Sequence, residues 1–146
     1  MKTMLLPPGA LEWLATEARR AYPRECCGLL EGTRDALRVE LSALRPTQNI
    51  AAAADRFEID PAEQVRVLRD ARAGGRAIVG CYHSHPNGPC APSPRDLDGA
   101  SEENFLWLIA ALDRGDGDVA IRAFEYAGRG FAEVAIASGA DRAASR

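Results

Sequence analysis

Residues 77–96 constrain this chain more than any other stretch. Ala77-Ile78-Val79-Gly80-Cys81-Tyr82-His83 is an apolar run of strand length, and it leads into His83-Ser84-His85-Pro86, which holds the only two histidines of the 146 residues. A loop dense in proline and glycine follows. Ser93-Pro94-Arg95-Asp96 then reads as a helix start, with a serine cap and a carboxylate three residues later.

Side chains two apart on a strand point to one face, about 7 Å apart along the backbone. His83 and His85 can therefore converge above the strand end, while Tyr82 and Ser84 face the other way. Asp96, from the first turn of the next helix, would supply an oxygen ligand. Two imidazoles and one carboxylate leave a tetrahedral zinc ion with one position for water, the arrangement of a catalytic rather than a structural site. Zinc held this way brings the pKa of water toward neutrality. Two other readings fit the same residues. One is a pair of hydrogen-bonded core histidines beside an ordinary capping box; the other is a closed structural site with Cys81 or Cys90 as fourth ligand.

The net charge of −3 and the lack of a basic stripe give no footprint for nucleic acid. No apolar run approaches the length of a membrane span. Met1–Leu6 is too short an apolar patch for a signal peptide, so the expected compartment is the cytoplasm. There the four cysteines, Cys26, Cys27, Cys81 and Cys90, are expected as thiols, and their spacing forms no disulfide framework.

Along the chain, Leu11, Leu14, Ala15 and Ala18 recur at helical spacing within Ala10–Tyr22, and Pro23 stops that helix. Arg24–Gly32 is an apolar run bounded by glycine, expected as a buried strand. Ala36–Leu44 is its antiparallel neighbour, with the turn at Gly32–Asp35. A loop through Pro46 and Asn49 reaches a short strand at Phe57-Glu58-Ile59. Asp60-Pro61-Ala62-Glu63 starts a helix running to about Ala73, with Val65, Leu68 and Ala71 assigned to its inner face. Phe105–Leu112, Val119–Tyr126 and Phe131–Ala137 read as further strands, separated by glycine turns. Trp13 and Trp107 read as core. The whole is an α+β pattern, expected as a single domain over residues 1–138, with 139–146 as a flexible tail.

His83-x-His85-Pro86 followed by Ser93-x-x-Asp96 resembles the JAMM (MPN+) metalloprotease motif, H-x-H-P with S-x-x-D. Pro23-Arg24-Glu25-Cys26-Cys27-Gly28-Leu29-Leu30-Glu31-Gly32 resembles the upstream segment of the bacterial branch, P-x-E-x-C-G-L-L-x-G. Weaker likeness covers Asn49 and Arg56–Pro61. The resemblance implies a curved, mostly antiparallel or mixed sheet flanked by helices, similar to cytidine deaminase architecture. It implies one zinc ion per chain held by His83, His85 and Asp96. Glu25 becomes the general acid/base and Ser93 the donor to the oxyanion. The implied reaction is hydrolysis of the amide bond after the C-terminal Gly-Gly of a ubiquitin-like sulfur-carrier protein. Two alternatives of the same fold stand beside it: a non-catalytic binding module with structural zinc, and a zinc amidase acting on cell-wall peptides. A zinc deaminase would need a C-x-x-C ligand pair that is absent. Homodimer formation, a role for Cys90 near the metal, and a sheet edge that receives the substrate tail all stay open. Arg95 is expected at the surface.

Overall fold

Alternation along one strand organises the packing. In the computed structural model, which describes residues 2–138, the strand β4 (Ala77–Pro86) sends Tyr82 and Ser84 to one face of the sheet and Cys81, His83 and His85 to the other. Among the described residues seven strands form the sheet: β1 (Thr3–Leu5), β2 (Cys27–Arg34), β3 (Arg38–Thr47), β4, β5 (Leu106–Leu112), β6 (Ala120–Tyr126) and β7 (Phe131–Ala137). Their order is β1-β3-β2-β4-β5-β6-β7, closed into a ring because β1 pairs with both β3 and β7. The β4–β5 pair and both β1 pairs are parallel; the remaining pairs are antiparallel.

Two helices cover the two faces. The first, α1 (Ala10–Ala21), buries Leu14 and Ala18 with Met4, Leu30, Tyr82 and Leu108. It ends ahead of Pro23, as a proline that disfavours αR in the preceding residue requires. The second, α2 (Pro61–Ala73), begins at Asp60, whose side chain accepts the Ala62 amide, and has proline in its first turn. It lies on the other face, where Val67 packs with Leu29, Cys81, Trp107 and Ile109. A third, short helix α3 (Pro94–Gly99) follows the β4 loop. Among the described residues no helix is long and apolar enough to cross a membrane. The expected tail, 139–146, lies outside the described residues.

Several expectations shift in detail. The inner face of α2 is Val67 and Ala71 with Leu68 half-buried, whereas Val65 is 47% exposed. The helix meets the sheet along a narrow stripe at i and i+4, which a spacing of three from Val65 to Leu68 misses. Strand β2 begins later and runs past Gly32 to Arg34. The turn moves to Asp35–Leu37, where the Asp35 carboxylate accepts the Leu37 and Arg38 amides. Phe57–Ile59 forms no strand; Ile59 makes one isolated bridge to Asn49. Trp13 is half-buried against the α1 core, and Trp107 is buried.

Glycine permits the closest strand approach beside the site. A Cβ on Gly80 would be driven into the backbone carbonyl of Leu106 on β5. Gly80→Ala should therefore cost about 2–3 kcal/mol, because neither strand can yield without losing its ladder. Urea unfolding of the two proteins measures this; an unchanged midpoint would refute the close-approach account.

Candidate metal centre

Strand β4 carries His83 and His85 to the end of the sheet on one face, as period-two geometry dictates. The chain then turns through Asn87, in the left-handed region at φ 63°, and returns to start α3 at Ser93. Ser93 caps the helix: its Oγ accepts the Asp96 amide at 3.0 Å, and its own amide donates to Asp96 Oδ2 at 2.9 Å. This reciprocal box fixes the Asp96 carboxylate against the histidines. His83 Nε2 lies 3.1 Å from Asp96 Oδ1, His85 Nε2 lies 3.0 Å from Asp96 Oδ2, and the two Nε2 atoms are 2.9 Å apart. All three residues are buried.

The donor chemistry of this triangle fits a cation. His85 Nδ1 lies 2.9 Å from the Pro89 carbonyl, which can only accept, so Nδ1 carries the hydrogen. Neutral His85 then has only a lone pair at Nε2, facing a second imidazole and a carboxylate. A single proton on His83 Nε2 would serve one of the three contacts; a metal ion between them serves all three. The edges lie near the roughly 3.3 Å that tetrahedral zinc, bound at about 2.0–2.1 Å, imposes on its ligands. Burial lowers the pKa of His83 and favours its neutral ring. Burial acts the same way on His85, but the Asp96 carboxylate and the Pro89 carbonyl outweigh it and raise its pKa. Burial also pushes the Asp96 carboxyl upward, yet its close contacts with the His83 and His85 rings and the bond from the Ser93 amide hold it well below the usual carboxylate range.

Aromatic rings support the ligands. Phe57 stacks on His83 with centroids 4.5 Å apart, and Trp107 meets the same ring edge-on at 5.8 Å. His83 cannot swing away without displacing one of these rings.

A cleft of about 450 Å³ opens beside the triangle, and Glu25, Ser93 and Asp96 all line it. Glu25 is 7% exposed, and burial raises its pKa to about 7. The charge of His85 opposes that rise, and those of Asp96 and Asp55 add to it. Its main chain is tied down from two sides. The Cys26 amide donates to Ser84 Oγ at 2.8 Å, and the Ser84 amide donates to the Cys26 carbonyl at 3.1 Å. Asn49 Nδ2 donates to the Glu25 carbonyl at 2.9 Å while Asn49 Oδ1 accepts the Ala51 and Glu58 amides. Ser84 and Asn49 are positioning residues that the motif reading left without a role.

The cysteines stand apart from the metal donors. Cys81 is buried in the cleft wall, but no sulfur joins the close group of His83, His85 and Asp96. Cys90 is half-buried and turns its thiol to the Ile109 and Ala120 carbonyls, at 3.4 and 3.3 Å. Burial raises its pKa, so it lacks the thiolate character of a reactive cysteine.

A buried two-histidine, one-carboxylate cluster at a strand end is able to bind a metal ion, and a carboxyl group raised to about 7 stands in the cleft beside it. The chain belongs to the prokaryotic homologues of the JAB domain, whose sequence profile matches residues 7–125, and it is of the small JAMM type. A desampylase of Haloferax volcanii is 36% identical over 116 residues, 79% of this chain and 78% of that protein. A Thermus thermophilus protein named "Probable TtuB-protein conjugate cleaving protease" is 35% identical over 95 residues, covering 64% of this chain and 61% of that one. The solution structure of a Desulfitobacterium hafniense protein superposes with a TM-score of 0.81 at 30% identity, covering 93% and 92% of the two chains.

The triangle makes a direct prediction about metal affinity. Asp96→Asn keeps an oxygen for the Ser93 amide but removes the anionic donor, and should weaken zinc binding more than about 100-fold. Competition against a chromogenic chelator measures this; equal affinity in the two proteins would remove Asp96 from the ligand set.

Proposed function

We propose that this protein is a zinc-dependent hydrolase that cleaves the amide bond after the C-terminal Gly-Gly of a ubiquitin-like, sulfur-carrier type protein. What carries the reading is the close group of His83, His85 and Asp96 beside a cleft that Asp96 shares with a buried glutamate whose pKa is raised to about 7, in a chain of the JAB family. The substrate class draws its support from the relatives, one named a desampylase and another a protease of TtuB–protein conjugates.

In this reading His83, His85 and Asp96 hold one zinc ion per chain. When bound, zinc supplies a Lewis acid that polarises water and the scissile carbonyl. Glu25 takes a proton from the attacking water and returns it to the leaving nitrogen. A carboxyl group with a pKa of about 7 suits both halves of that transfer at neutral pH. Ser93 Oγ already accepts the Asp96 amide, which leaves its own O–H to donate to the oxygen that becomes anionic in the tetrahedral intermediate. The aromatic wall of Phe57, Phe105 and Trp107 lowers the local dielectric around these groups.

Zinc-loaded protein incubated with a panel of carrier conjugates tests the activity, and no cleavage across several carriers would overturn the substrate class. Glu25→Gln should retain one zinc per chain while kcat falls about 10²–10⁴-fold. Elemental analysis beside the cleavage assay checks both parts, and undiminished activity would take Glu25 out of the mechanism. Ser93→Ala should lower kcat by about 10²-fold. Its lost cap costs a further ~1 kcal/mol of stability, read separately by thermal unfolding.

A further inference from the structure

The same cleft holds two guanidinium groups that the proton transfer does not use. Arg95 sits between Ser93 and Asp96 on the first turn of α3, and Arg56 sits on the loop that crosses toward it; both line the cleft with Glu25. They share one oxygen of one carboxylate: Asp55 Oδ1 is 3.1 Å from Arg95 Nη1 and 3.8 Å from Arg56 Nε. Asp55 is 70% exposed and the two arginines about half exposed. An exposed, single-contact pair of this kind contributes about 0–1 kcal/mol, so an incoming carboxylate displaces Asp55 at little cost. It can also gain a second parallel bond from the planar fork of Arg95.

Position gives that displacement a meaning. Glu25 must reach the leaving nitrogen, and both Asp55 and Arg95 are close enough to Glu25 to act on its charge. In an adduct between the carrier and the α-amine of an amino acid, a carboxylate hangs on the carbon bonded to that nitrogen. In an isopeptide to a lysine side chain, no charge stands near the nitrogen. We propose that Arg95, with Arg56, reads the free α-carboxylate of a leaving amino acid, and that Asp55 holds the site in its absence. The protein then favours carrier–amino acid adducts over lysine isopeptides. The reaction balances as hydrolysis: the glycine carbonyl carbon gains the water oxygen, the carbon–nitrogen bond breaks, and the proton passes to the departing amine. This rests on the hydrolase reading above and narrows its substrate.

The test compares three substrates with the zinc-loaded protein: a carrier ending in one added amino acid with a free carboxylate, the same adduct as its carboxamide, and a lysine isopeptide. The free carboxylate should be preferred over the carboxamide by about tenfold or more in kcat/KM, mostly through KM. That ratio should collapse toward one in Arg95→Gln, and Asp55→Asn should lower KM for the free carboxylate. Equal cleavage of carboxylate and carboxamide by the wild type would overturn the proposal while leaving the hydrolase intact. So would a ratio that survives Arg95→Gln in a protein of unchanged zinc content. Cleavage of none of the three would overturn the hydrolase reading itself.

Discussion

The site depends on a pair of hydrogen bonds made by the residue between the two histidines. Ser84 faces away from the metal donors, where its Oγ accepts the Cys26 amide and its own amide donates to the Cys26 carbonyl. Period two along β4 thus divides the work of three consecutive side chains. Two aim at the metal position, and the middle one fastens the segment carrying Glu25 to the same strand. The acid and the donors cannot drift apart without breaking these bonds in the interior, where an unmet donor costs about 1–3 kcal/mol. Threonine could keep the oxygen only by adding a methyl group to a fully buried position.

Asp96 shows a similar economy. One carboxylate completes the helix cap at Ser93 and closes the triangle with His83 and His85, so the conformation that starts α3 is also the one that sets Asp96 against the histidines. The cap reading of Ser93-x-x-Asp96 holds, and the same geometry sets Asp96 against both histidines, where it could serve as a ligand. The same holds for Asn49, whose carboxamide orders the 51–58 loop and pins the Glu25 carbonyl together. The loop in turn brings Phe57 onto His83.

How much of this could be read from the chain depends on the range of the interactions. The helix at Asp60 was legible because its cap, proline and glutamate lie within four residues. The histidine strand was legible because apolar composition and turn residues bracket it. Strand β1 was not: three residues carry no period, and Thr3–Leu5 becomes a strand only by pairing with β3 and β7. The inner face of α2 was misplaced because Val65, Val67 and Leu68 admit more than one stripe, and tertiary contact chose the one through Val67. Glu25 has no local signal at all; its assignment came from family likeness. The parts of Ser84 and Asn49 were invisible because their partners lie far along the chain. Cys90, suspected from its place between the ligands, is captured by two backbone carbonyls that no local pattern encodes.

The closure of the sheet has a consequence for how any polypeptide can dock. Strand β4 is flanked by β2 and β5, and each of those has a partner on its other side as well. Among the described residues, 27–32 of β2, 80–83 of β4 and 106–111 of β5 have strand partners on both sides. For the proposed substrate, discrimination at those stretches falls on the side groups a tail presents, residue by residue. Main-chain pairing along those doubly paired stretches, which would accept almost any extended sequence, has no free strand side to use there.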